Sequence, residues 1–273
     1  DEAEAQNPVP IVVVKLDQAS QEANVAPGQS GVVTFTGSCE VRSLGVERVA
    51  VSLSAAAGGW ATAVSPSSMV FQGNGEQSFT LSIRAPPFTS FSVSQTVEVT
   101  GTWVGAGVMS GKVQPANARV DVKQYFKMSI ECSKPYIQVN PGDSVPFEIK
   151  VWNEGNTKDT FKFDILNLKD LTQAGFSVQL SRNKVEVEEK GYGRITITVN
   201  TPKNWEIWEN EINVVQIQIE SEGAQGMGTK LVDTYPVYTW EHGMYIPGFG
   251  VAGGLLTMVL ALLGAVVLRR RRF

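Results

Sequence analysis

Along most of this chain, apolar side chains recur at every second position with polar residues between them. Phe79, Leu81 and Ile83 form one such run, and Ile195, Ile197 and Val199 form another. A period of two describes strands with one buried and one wet face. The runs break at turn-forming residues: Pro27-Gly28, Gly73-Asn74-Gly75, Pro86-Pro87, Pro141-Gly142, Asn153-Glu154-Gly155-Asn156 and Gly191. The pattern predicts many short strands and almost no helix ahead of the C-terminus.

The pattern also repeats. Setting each residue beside the one 116 positions later pairs Val12 with Met128, Val14 with Ile130, Trp60 with Phe176 and Val64 with Leu180. The same offset joins Met69 to Val185, Phe71 to Val187, Gly75 to Gly191, Phe79 to Ile195, Leu81 to Ile197, Ile83 to Val199 and Pro86 to Pro202. Pro27-Gly28 matches Pro141-Gly142 with a shift of 114, so a two-residue insertion is expected between. About seven strands per copy over roughly 110 residues reads as an immunoglobulin-like β-sandwich. Two modules in tandem are expected, residues 1–123 and 124–237.

At the C-terminus the alternation stops. Ile246 to Leu268 is 23 residues without an ionisable side chain. At about 1.5 Å rise per residue, that length crosses a hydrocarbon core of roughly 30 Å. Arg269, Arg270, Arg271 and Arg272 follow, and basic flanks stay cytoplasmic. The expected fold class is therefore all-β: two tandem immunoglobulin-like β-sandwiches followed by one C-terminal transmembrane α-helix, 246–268. A cytoplasmic basic tail, 269–273, ends the chain. A juxtamembrane segment, 238–245, would set Tyr238, Trp240 and Tyr245 at the headgroup layer on the outer side. Gly250 and Gly254 are four apart, a spacing that lets two helix backbones approach. The chain starts at Asp1, with no apolar stretch preceded by positive charge nearby; removal of a secretory signal peptide is the expectation.

The tail resembles the PGF-CTERM signal of archaeal surface proteins on Pro247, Gly248 and Phe249, the apolar run and the four arginines. That resemblance implies an archaeal cell-surface protein whose tail is exchanged for a lipid near the tripeptide; a retained transmembrane anchor is the alternative. The second copy is similar to NEW3 and CARDB-type modules, through Val139 to Ser144, Phe147 to Asn156 and Asp159-Thr160-Phe161. Those modules act as spacers and as adhesive or scaffolding units. The first copy departs from the pattern, with Gly37-Ser38-Cys39-Glu40 where the asparagine-glycine turn is expected.

Charge and chemistry narrow the function classes. Lys and Arg number 23 against 27 Asp and Glu; with the four terminal arginines set aside, the remainder carries −8, which disfavours nucleic acid as a partner. Residues 1–123 hold 17 charged side chains and 124–244 hold 29, so the distal copy has the surface suited to lateral protein contacts or O-linked sugars. No Asn-x-Ser/Thr acceptor occurs.

One histidine, His242, leaves no parts for a histidine metal cage or a Ser-His-Asp triad, and no phosphate loop is present. No catalytic, cofactor or metal residue is assigned. Asp143 with Asp159 and Asp164, or Glu186 with Glu188 and Glu189, are the carboxylate groups to check for calcium. Cys39 continues the inward set Val33, Phe35, Gly37, and Cys132 continues Met128, Ile130. Two cores would each hold one thiol, and an interdomain disulfide is the other outcome. Phe88 and Phe91 in copy one, and Trp205 and Trp208 in copy two, follow the matched prolines with equal spacing. They either cap their own cores or form partner patches.

The expected role is a non-catalytic, membrane-anchored cell-surface structural or interaction protein. Its partners are membrane lipid, other surface or membrane proteins, and glycans. The alternative is a single-span accessory subunit of a membrane complex such as a transporter or secretion assembly.

Overall fold

The computed structural model describes residues 9–43, 48–105, 109–203 and 210–242. Within them the first copy contains β1 (Ile11–Leu16), β2 (Ser20–Ala23), β3 (Gly31–Arg42), β4 (Val49–Ala56) and β5 (Ala61–Ser65). It continues with β6 (Ser68–Phe71), β7 (Gly75–Ala85), β8 (Ser94–Gly105), β9 (Ser110–Lys112) and β10 (Ala116–Val122). One sheet runs β1-β3-β7-β5 and the other β2-β10-β8-β4-β6, with β9 appended to β8. All pairs are antiparallel except β2 with β10.

The second copy contains β11 (Met128–Cys132), β12 (Tyr136–Val139), β13 (Ser144–Asn153), β14 (Asp159–Ile165), α1 (Leu168–Gln173), β15 (Ser177–Leu180) and β16 (Lys184–Val187). It ends with β17 (Tyr192–Asn200), β18 (Glu211–Ser221), α2 (Glu222–Gly226) and β19 (Val232–Glu241). Its sheets run β11-β13-β17-β15 and β12-β19-β18-β14-β16, again with one parallel pair, β12 with β19. The order of the first copy is thus reproduced strand for strand, with α2 standing where the first copy has β9 and α1 added between β14 and β15.

The alternation in the sequence is the alternation of burial. Phe35, Phe79, Leu81 and Ile83 of the first copy lie in one apolar cluster, and Phe147, Ile195, Ile197 and Val199 lie in a separate one. Each such side chain contributes about 1.5–3 kcal/mol through burial. Two independent cores make these two sandwiches, each closed by facing sheets.

Two expectations change on contact with the pairing. The strand containing Gly37 and Cys39 does not turn there: β3 runs on to Arg42, in register with β7 to the pair Val41–Gly75. A Cβ on Gly37 would overlap the Lys15 carbonyl oxygen and stand 2.8 Å from Phe79 Cζ, so this glycine makes room for a core ring inside a strand. Register also shows that Val33 and Val145 occupy one place, since they face Ile83 and Val199, themselves equivalent; the offset here is 112. The gap between copies is therefore spread over several loops rather than confined to one two-residue insertion.

Second, β19 extends to Glu241, so Tyr238 and Trp240 are strand residues paired with Tyr136 and Gln138 of β12 rather than part of a separate juxtamembrane segment. Cys39 and Cys132 are both free thiols. Each belongs to its own sandwich, Cys39 fully buried and Cys132 half-buried against the second cluster. Burial raises the Cys39 thiol to about 11 and pushes Cys132 up as well. Among the described residues no helix is long and apolar enough to cross a membrane; the expected span, 246–268, lies outside them.

Candidate functional site

The turn Asn153-Glu154-Gly155-Asn156, read from the sequence as a break between strands, forms the joint between the two sandwiches. Asn156 is wholly buried. Its Oδ1 accepts from the Tyr125 backbone N–H at 2.9 Å, and its Nδ2 donates to the carbonyls of Lys123 at 3.0 Å and Thr89 at 3.4 Å. Its carbonyl accepts from Phe91 N–H at 2.8 Å. One side chain thus ties the second copy to the linker and to the Pro86–Val93 loop of the first, with its amide in use at both ends.

The neighbours in the turn support that contact. Asn153, also buried, donates from Nδ2 to Thr157 O and Val187 O and accepts from Gly155 N–H, which holds the turn on the rim of its own sandwich. A Cβ on Gly155 would stand 2.8 Å from the Tyr125 carbonyl oxygen, so only glycine lets the linker pass this close. Glu154 N–H donates to Lys127 O, while the Glu154 carboxylate takes a hydrogen bond from Ser129 at 2.7 Å and an ion pair from Lys127 at 2.8 Å. Those partners, Lys127 foremost, hold its pKa below the ordinary glutamate value.

Beside this joint lies a cleft of about 540 Å³, lined by Pro27 and Phe88 from the first copy and by Ser129, Trp152, Glu154 and Lys190 from the second. Cross-strand register sets its floor: Ser129, Trp152 and Tyr192 form one row across β11, β13 and β17. Trp152 leans on Tyr192 with ring centroids 4.7 Å apart, and its Nε1 donates to Glu131 at 3.3 Å. Arg194 lies 5.0 Å over the outer ring and donates to the Tyr192 hydroxyl. Phe88 and Lys190 have φ of 59° and 60°, the only non-glycine residues with positive φ among those described. Both line this cleft. Left-handed backbone at non-glycine residues costs about 1 kcal/mol or more and concentrates at functional surfaces.

The aromatic candidates divide accordingly. Phe88 and Phe91 are exposed, at 41% and 47%, and do not cap the first core. Phe88 enters the cleft, and Phe91 contributes its backbone to the joint. Trp205 and Trp208 lie outside the described residues, as do Pro247, Gly248, Phe249, Gly250, Gly254 and Arg269, Arg270, Arg271 and Arg272.

Five of the six carboxylates considered for calcium, all but Glu189, have other engagements. Asp159 is buried and accepts from Thr160 N–H, Ser221 Oγ at 2.6 Å and Gly223 N–H at 3.0 Å. Asp143 accepts from the backbone and side chain of Asn140, Asp164 pairs with Lys162, and Glu186 and Glu188 share Lys158. No group of three metal-ligating side chains occurs among the described residues. His242 packs edge-on to Trp240, and its backbone N–H donates to Val139 O.

The residues that sequence reasoning passed over are Asn156, Trp152 and Lys190. Their signal was present in the Trp152-Asn153-Glu154-Gly155-Asn156 run, but nothing local says which neighbour that turn will meet. A second unforeseen feature lies at the far end of the second copy. Glu241 is buried where the first copy has Val122, and its Oε1, together with Thr239 Oγ1 and Asn213 Nδ2, has no hydrogen-bond partner. Desolvation, and then the Glu211 charge opposite, raise the Glu241 pKa above the ordinary glutamate value.

No family model and no curated protein matches this chain. Solved structures overlap it at low identity. A protein of unknown function from Porphyromonas gingivalis W83 is 12% identical over 84% of this chain and 99% of its own, with a TM-score of 0.29. The D00-D0 domain of intimin is 11% identical over 84% and 99%, with a TM-score of 0.35. Domains 4 and 5 of the S-layer protein SbsC are 13% identical over 55% and 66%, with a TM-score of 0.28. Likeness at that level bears on no site and no activity.

Proposed function

We propose that this protein is a non-catalytic structural and interaction protein of the cell surface, held to the membrane by its C-terminal segment. The observation that carries the reading is the Asn156 joint. A buried amide bonded to the linker and to the preceding sandwich makes the tandem stiff, which is what a projecting spacer needs and a flexibly tethered enzyme domain does not. The resemblance to PGF-CTERM tails and to NEW3 and CARDB-type modules supports an anchored, archaeal setting, with the second copy as spacer and the first, poor in charge, facing outward.

The test is the intact mass of the protein extracted from native membranes. A mass ending before Ile246 with an added lipid supports a processed surface anchor. A mass retaining Phe273 overturns processing and favours the second reading, an accessory subunit held by helix packing through Gly250 and Gly254. Recovery of the whole chain as a freely soluble protein would refute membrane anchorage in either form.

A further inference from the structure

We infer that the cleft at the joint binds a saccharide ring, held between Phe88 of the first sandwich and Trp152 of the second. The inference deepens the interaction role proposed above by naming a ligand class, and it stands or falls independently of how the tail is anchored.

The chemistry of the walls favours this occupant. A sugar ring has one face rich in C–H and a rim of hydroxyls that both donate and accept. The cleft is lined by two aromatic residues from opposite sandwiches and by three that carry polar groups, Glu154, Ser129 and Lys190. Its volume, about 540 Å³, is in the ordinary range for a small-molecule site. Glu154 is ionised and fixed in place by Ser129 and Lys127, which leaves unused lone pairs for hydroxyl donors. Lys190 is exposed and has no ion-pair partner among the described residues, so it is free to donate to hydroxyl or ring oxygens.

The other occupant that stacks on aromatic rings is a proline-rich peptide, which is read by indole and phenol donors bonding to its carbonyls. Here the indole donor is spent and the phenol stands outside the lining. Trp152 Nε1 donates to Glu131, and Tyr192, whose hydroxyl oxygen accepts from Arg194, is not among the residues that line the cleft. What remains available reads hydroxyls.

Backbone strain points the same way. Phe88 and Lys190, from the first and second sandwich respectively, both hold left-handed conformations that would be relieved by glycine. Their side chains reach the cleft at the expense of local stability. Trp152 is meanwhile pre-set by Tyr192 and Glu131, which lowers the ordering cost on binding.

The experiment is saturation-transfer difference NMR on the full chain in detergent, with three probes: chitotriose, cellotriose and trigalacturonic acid. Tetraproline serves as the competing ligand. Binding of at least one sugar is expected, with saturation strongest on ring C–H protons. Phe88→Gly should weaken it by about tenfold, the scale of one lost aromatic contact, while raising thermal stability because glycine suits that backbone. Trp152→Ala should abolish it, and Phe91→Ser, which lies outside the cleft lining, should leave it unchanged. Failure of all three sugars to bind, equal binding by Phe88→Gly and wild type, or binding of tetraproline alone would each overturn the proposal. Because Phe88→Gly is expected to fold better than the parent, its loss of binding cannot be attributed to misfolding.

Discussion

Replacing Asn156 by alanine tests the joint most directly. The substitution removes an acceptor from Tyr125 N–H at 2.9 Å and a donor to Lys123 O at 3.0 Å, with a weaker donor to Thr89 O at 3.4 Å. Alanine leaves those part-buried backbone groups without their side-chain partner. An unmade bond of this kind costs about 1–3 kcal/mol per group. Because the linker groups are only partly buried, two losses toward the lower end give about 2–4 kcal/mol. For copies of this size that corresponds to a fall in melting temperature of about 6–15 °C.

Calorimetry on the full chain in detergent measures the shift, and small-angle scattering measures whether the two sandwiches swing. Asn153→Ala is the companion, since its bonds lie wholly within the second copy. It should lower stability without loosening the joint, whereas Asn156→Ala should do both. A stability loss below about 0.5 kcal/mol, the level of a neutral surface change, together with an unchanged scattering profile would refute the reasoning.

Gly37→Ala should destabilise the first copy by about 1–3 kcal/mol through overpacking against the Lys15 carbonyl and the Phe79 ring, while the second copy's transition stays in place on a calorimetric scan. Cys39 has a folded pKa of about 11, above the ordinary thiol value, so its contribution is present in full below pH 9 and is lost as pH rises toward 11. Relative to Cys39→Ala, the wild type should lose about 2–3 kcal/mol across that window in denaturant melts, and iodoacetamide should label Cys39 only after unfolding. Glu241 is also raised by burial, so its protonated form is favoured by folding and the charge weighs against the fold as pH rises through the folded pKa. Glu241→Gln should therefore raise the melting temperature at neutral pH and have little effect at pH values below the carboxylate range.

By itself the sequence determined what depends on neighbours two residues apart. Strand faces, the two cores and the second copy's likeness to the first follow from the alternation around Phe79-Leu81-Ile83 and Ile195-Ile197-Val199, because a pleated strand alternates faces whatever it pairs with. The inward direction of Cys39 was legible for the same reason. Tertiary structure decided what depends on partners far along the chain. Gly37 looks like a turn residue until β7 pairs beside it and Phe79 fills the space its missing side chain leaves. Tyr238 and Trp240 look like interface aromatics until β12 and β18 extend the sheet to Glu241. The Asn153–Asn156 turn is written in four residues, but its role as a joint arises only when Lys123, Tyr125, Thr89 and Phe91 are brought against it, since hydrogen-bond geometry between distant backbone groups is set by how the chain packs and not by local propensity.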